Sequence, residues 1–224
     1  MKRLILGAAA VLLSACGSNL SVSVSTKPAA FRSSRALSVA RNIDIQRVRL
    51  NVGRLKLEGR ASGGAMSADD DRHGGGEGEE DEVEVRRGPF VIDLDAAALN
   101  GVVTKVFDAD VPPGTYEEFK FDIFPSAALQ NASVIVNGKI GGNDFTFTSP
   151  LSAQQKKEGR FVVGGTTANI TLSIDPRGWF GSSSAQLDPT EANRAAIEAN
   201  IRQSIDIFQD DDGEGDENHH LDHG

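Results

Sequence analysis

The last fifteen residues, Asp210 to Gly224, hold seven carboxylates and three histidines with no lysine or arginine among them. Those residue types fit two kinds of metal chemistry. Calcium loops place oxygen ligands at alternating positions, with a glycine at the sixth for the bend. Counted from Asp210, the segment supplies Asp210, Asp212, Glu214 and then Gly215, with Asp216 next. Its twelfth position is Leu221, where a complete loop would carry a bidentate Glu, so the spacing predicts weak binding of calcium or another divalent cation. His219 and His223, four apart, would present two imidazoles to a transition metal if that stretch were helical. Against both stands the ordinary fate of a like-charged, glycine-bearing terminus, which is to be a solvated tail. No cofactor is expected beyond weakly bound calcium.

Three carboxylate pairs lie elsewhere: Asp93/Asp95, Asp108/Asp110 and Glu117/Glu118. Residues i and i+2 of a strand share a face, so the first two pairs have a spacing at which two acids can work on a glycosidic bond. Plain alternation alone explains them: they line a solvent face opposite Ile92/Leu94 and Phe107/Ala109/Val111. The four histidines (His73, His219, His220, His223) all fall in acid-rich stretches, which leaves none for a rigidly held catalytic triad. No G-x-S-x-G elbow, phosphate-cradling glycine loop or H-E-x-x-H helix occurs. A non-enzymatic chain is expected. For sugar stacking there is one Trp and one Tyr. Trp179, in DPRGWFG, is the candidate ligand residue, with capping of a core beneath a helix as the competing role. Tyr116 follows a turn, where a structural corner tyrosine is expected.

The N-terminal stretch MKRLILGAAAVLLSAC has two basic residues, an apolar run too short to span a bilayer, and small residues after it. That is the pattern of a secretory signal over residues 1–15. Leu13-Ser14-Ala15-Cys16 resembles the lipobox of bacterial lipoproteins, in which the cysteine thiol is diacylated and becomes the first residue. Cys16 is the only cysteine, so no intrachain disulfide can form. Two or three acyl chains hold a protein at a membrane far better than one, at about 0.8 kcal/mol per buried methylene. Gly17, rather than Asp, follows Cys16, which in the sorting pattern of the enteric lipoproteins it resembles implies the outer membrane. The membrane is therefore one expected partner, with envelope proteins or polysaccharide as others.

The formal net charge of −9 is unevenly spread. Residues 69–82 carry eight acids against Arg72, and the tail carries seven more. Outside these and the leader, 17 acids face 20 bases, so the body is close to neutral. Nucleic acid requires a clustered basic surface and is not an expected partner.

Residues 16–41, rich in serine, read as a lipid-anchored tether; about 25 flexible residues reach roughly 25–30 Å. Leu20, Val22 and Val24 alternate with serines, so a short edge strand is the alternative. The folded domain is expected over 42–208, with an acidic disordered insertion at 61–82 and the acidic tail from 209 to 224. IDIQRVRLNVGRLKLEG alternates apolar and polar residues but slips phase near Gln46-Arg47 and at Gly53, as β-bulges do. Further short strands follow: Val83 to Val85, Pro89 to Leu94, Val106 to Val111 and Phe119 to Phe124. Ser133 to Ile140 and Phe145 to Thr148 flank a GGND hairpin turn, and Phe161 to Val163 and Asn169 to Ile174 come last. Asp188-Pro189-Thr190-Glu191 opens a helix whose stripe is Ile197, Ile201, Ile205 and Phe208.

The segments VIDLDAAALNG…KVFDADVPPGTYEEFKFDIFPS, ASVIVNGKIGGNDFTFTSPL and KKEGRFVVGGTTANITLSIDP resemble a bacterial lipoprotein domain family of unknown function. That resemblance implies a transthyretin-like, carbohydrate-binding-like sandwich over about Ile43 to Asp175, and carries over fold and location but no established catalytic residues. The expected fold is thus all-β: an antiparallel β-sandwich of transthyretin or immunoglobulin type with one C-terminal amphipathic helix.

Overall fold

The structure, a computed structural model, describes residues 18–26, 42–61, 82–164, 167–182 and 185–210. It is an all-β sandwich with one short C-terminal helix. The strand that organises it is β2 (Ile43–Ala61), 19 residues long. One flank of β2 is paired by β6 (Gly114–Ile123) and then β7 (Val134–Ile140). Its other flank is paired by β3 (Glu82–Arg87) and then β4 (Phe90–Leu94). β8 (Asn143–Ser149) extends β7, and β9 (Ala153–Val163) extends β6. The larger sheet is therefore four strands wide along its whole length, although its outer strands are broken midway.

The breaks fall at the second of two slips in the alternation of β2, around Gly53. Its ladder shifts register between Ile45 and Arg47 and again between Val52 and Arg54, as the sequence predicts. A third shift lies between Glu58 and Gly59. At Gly53 the ring of Phe124 takes the space of a side chain: a Cβ there would lie 1.5 Å from the Phe124 Cε1. The expected GGND turn also forms. Gly141 and Gly142 both have positive φ (55° and 89°), which a two-residue hairpin between Ile140 and Asn143 requires.

The second layer is β13-β10-β1-β5. Its strands are β1 (Ser18–Ser25), β5 (Thr104–Val111), β10 (Thr167–Ile174) and β13 (Ile205–Gln209). Two expectations are corrected here. The tether reading of residues 16–41 fails for 18–25; the alternative of a short strand is borne out there, except that the strand is not at an edge. β1 is an interior strand, parallel to β10 on one side and antiparallel to β5 on the other. Leu20, Val22 and Val24 are at most 1% exposed and join the core, while Ser21, Ser23 and Ser25 face away. Serine is small enough to sit in the middle of a sheet, so a Ser-rich run with alternating apolar residues is a strand once it has two neighbours. Residues 18–25 therefore belong to the sandwich, along with those from 42 onward.

The second correction concerns the helix. α2 runs only over Arg194–Gln203, after a 3-10 turn at Glu191–Asn193. Ile197 and Ile201 are its buried residues, but Ile205 and Phe208 belong to β13. Asp188 does not cap with its side chain; its carbonyl accepts the Asn193 side-chain amide at 3.0 Å. Ser204 ends the helix, its N–H donating to Asn200 and Ile201 and its hydroxyl to the Ile201 carbonyl. IDIFQ then pairs with the open flank of β10, from Ile205 opposite Ile174 to Gln209 opposite Ile170. Ile and Phe at i, i+2 and i+3 suit a strand as well as a helix, and an unpaired neighbouring strand decides between them.

Between the layers lies one contiguous core. Leu50, Val52, Leu55, Leu57, Phe119, Phe121 and Ile123 join Leu20, Val22, Val24, Ile170, Leu172 and Ile174 in it. The expected one-sided face of Phe119, Phe121 and Ile123 is thus borne out. Short elements link the strands among the described residues, besides the 3-10 turns at Ala127–Leu129 and Pro176–Gly178. α1 (Ala96–Leu99) turns β4 into β5, and β11 (Gly181–Ser182) pairs with β12 (Ala185–Gln186).

Candidate functional site

The acid pairs singled out in the sequence are each engaged locally or lie apart on open strand faces. Asp95 is the N-cap of α1: its carboxylate accepts the Ala97 and Ala98 amides, both at 3.0 Å. Asp93 faces the Arg47 guanidinium, whose Nε donates to it at 2.7 Å, and that pairing holds its carboxyl below the ordinary range. Asp108 pairs with Lys105 at 2.6 Å. Asp108 and Asp110 are exposed on β5, opposite the buried Ala109 and Val111, which is the alternation the sequence predicts.

Tyr116 is fully buried, and its hydroxyl donates to the Pro112 carbonyl at 2.8 Å, so PPGTY is a structural corner. Burial pushes the phenol upward.

Trp179 is corrected as a ligand residue. The Asp175 carboxylate accepts the Arg177 amide at 3.1 Å and grips its guanidinium through both oxygens, at 2.7 and 2.8 Å. This fixes the 3-10 turn Pro176–Gly178 and sends Trp179 inward, where it is 0% exposed. Its indole N–H donates to the Ser204 hydroxyl at 2.6 Å, and its carbonyl accepts the Asn200 amide at 3.1 Å. No ring face is left for a sugar. The indole instead clamps the end of α2 to the start of β13.

Of the candidate metal ligands, only Asp210 falls among the described residues, and it too is corrected. It is fully buried at the end of β13; its carboxylate accepts the Thr171 hydroxyl at 2.8 Å and its amide donates to the Asn169 carbonyl. It acts as the last residue of a sheet, not the first of an open loop. Asp212, Glu214, Asp216, His219 and His223 lie outside the described residues, as does Cys16. Among the described residues, no group of three or more His, Cys, Asp or Glu stands together as a metal site. Among them, too, no helix is long and apolar enough to cross a membrane.

Two arrangements were not read from the sequence. The first is a charge ladder on the outer face of the larger sheet. Lys56, Lys120 and Lys156 stand directly opposite one another on β2, β6 and β9, and Glu58, Glu118 and Glu158 form the next row. Like charges in register repel, but each lysine meets a glutamate two residues along its own strand, and Lys120 and Lys156 each reach diagonally to one on the next strand as well. Lys120 reaches Glu58 (3.2 Å) and Glu118, Lys156 reaches Glu118 and Glu158 (2.9 Å), and Lys56 reaches Glu58. The two ammonium groups hold the Glu118 carboxyl below its usual range, and the two carboxylates raise Lys156. The ladder neutralises itself, and its lysines suit β9 at the sheet margin, where charge discourages strand addition. Its signal was the recurring K-x-E and E-x-K spacing in KLE, EFK and KKE.

The second is a convergence of strand ends. β1 starts at Ser18 opposite the end of β5, Val111. Pro112 and Pro113 lead from there to Gly114, which pairs with Ala61 at the end of β2 and with Val163 at the end of β9. Thr167 of β10 pairs with Asn19, Glu82 of β3 pairs with Arg60, and β13 runs toward the same end, closing at Asp210. The leader, the acidic insertion and the acidic tail are therefore all rooted at one pole of the sandwich. Gln209 fastens the layers there: its side chain accepts the Val162 amide at 3.0 Å and donates to the Val162 carbonyl at 3.3 Å.

No protein-family model, curated protein or solved structure matches the chain. What the fold defines is a class, an all-β sandwich with one small helix.

Proposed function

We propose that the protein is an exported, lipid-anchored β-sandwich of the bacterial cell envelope, a binding or structural module and not an enzyme. The observation that carries this reading is LSAC, Leu13 to Cys16, at the end of a short apolar run behind two basic residues. Gly17 after the cysteine supports the outer membrane, with envelope proteins or polysaccharide as further partners. The non-catalytic part rests on the uses found for the acids: Asp95 caps, while Asp93, Asp108 and Glu118 are ion-paired. Kinship with the lipoprotein domain family rests on the motifs alone. Alkyne-palmitate labelling in a bacterial host tests the anchor. The native chain takes the label and fractionates with membranes, and Cys16→Ser abolishes both; labelling that survives Cys16→Ser would refute it.

The rooting of both acidic segments at one pole favours a second reading, weak divalent-cation binding there. Calorimetric calcium titration gives saturable heat that deletion of residues 211–224 reduces; an unchanged isotherm after deletion rules out the tail.

A further inference from the structure

We infer that the sandwich stands end-on against the bilayer, with the pole formed by Ser18, Pro112, Pro113, Val162 and Gly164 as its lipid-facing surface. The inference rests on the proposed acylation of Cys16 and extends it to geometry. Only Gly17 separates Cys16 from β1. Two residue steps at full extension span at most about 7 Å, so an acylated Cys16 keeps Ser18 within the headgroup layer.

The tether cannot be lengthened by peeling β1 away. The strand is hydrogen-bonded on both flanks, with seven residues in register with β10 and seven with β5. Detaching it would also take Leu20, Val22 and Val24 out of the core, at roughly 1.5–3 kcal/mol each. Because β1 enters the sheet at the pole, the pole and not a sheet face meets the membrane.

The chemistry of the pole fits that position. Residues 111–115 and 162–164 carry no formal charge. Pro112 and Gly164 are exposed, and Val162, 42% exposed, is among the few large apolar side chains left open. The acids rooted at the same pole, eight in residues 69–82 and seven from Asp210 onward, disfavour anionic headgroups. The partner surface is therefore zwitterionic lipid.

Depth-dependent quenching tests this on the full-length lipidated protein. Cys16 is the only native cysteine and is blocked when acylated, so Val162→Cys and Asn143→Cys each give a single labelling site. Asn143 is exposed beside the Gly141–Gly142 turn, at the opposite end of β2. With an NBD fluorophore and phosphatidylcholine vesicles carrying headgroup spin-labelled lipid, the label at 162 is quenched several-fold more than that at 143. Equal quenching, or stronger quenching at 143, overturns the inference. Gly164→Cys repeats the measurement where an added Cβ meets nothing within 4 Å, should Val162→Cys misfold. Protein that carries no lipid and fails to float with the vesicles signals failure of the anchoring proposal instead.

Discussion

The two ends of the sandwich are closed by different means. At the far end, Trp179 is buried under α2 and bonded to Ser204, and Phe180 packs edge-on against Phe145 and Phe147 at 5.5 and 5.8 Å. Thr26, leaving β1, donates to the Ala98 carbonyl of α1 at 2.7 Å. The near end has no such plug among the described residues. Two prolines, a corner tyrosine and the Gln209 side chain join the layers there, and three further stretches of chain set out from it. The far end is where side-chain packing closes the fold; the near end is where the chain leaves the sandwich for residues 1–17, 62–81 and 211–224. A protein fixed by its N-terminus to a surface has reason to divide its ends in this way.

The sharpest way to break that contrast is at the far end. Trp179→Ala removes a fully buried indole and its hydrogen bond, so a loss of about 3–5 kcal/mol in chemical denaturation is expected. A loss below about 1 kcal/mol would mean that the far end is not packed as described. At the near end, Tyr116→Phe keeps the ring and removes only the bond to Pro112, so about 0.5–1.5 kcal/mol is expected from the same measurement. If this exceeded the effect of Trp179→Ala, the roles of the two ends would be reversed.

Away from both ends, Asp93→Asn on the sheet face removes an exposed ion pair worth less than about 1 kcal/mol. Its sign follows from the lowered carboxyl of Asp93. The stabilisation is present above the unfolded value, about pH 4, and fades as pH falls through the lower folded value. The difference between wild type and Asp93→Asn in thermal melting should therefore be present at pH 7 and shrink toward pH 3. A difference that grows in acid would contradict the pairing.

Much of the larger sheet was legible in the chain. The phase slips at Gln46-Arg47 and Gly53, the one-sided phenylalanines of β6 and the GGND turn each depend on neighbours within a few residues. What was not legible depended on partners far away. β1 looks like linker because its serines need no burial of their own; only β10 and β5, whose partners lie 80 or more residues along the chain, make it a central strand. Ile205 and Phe208 fit a helical stripe until the free flank of β10 claims them. For Trp179 the sequence leaves two roles, stacking on a sugar and capping a core beneath the helix; burial and the bond to Ser204, 25 residues further on, bear out the second. The charge ladder was spelled out as K-x-E pairs, but only the register of three strands sets them in rows. The same register reveals the shared pole.

Neutron reflectometry of the lipidated protein on a supported phosphatidylcholine bilayer tests the central claim most directly. An anchor two residues from β1 predicts protein density beginning within about 7 Å of the headgroups, with no hydrated gap beneath it. A solvent layer of roughly 25–30 Å, the reach of a flexible tether of about 25 residues, would contradict it.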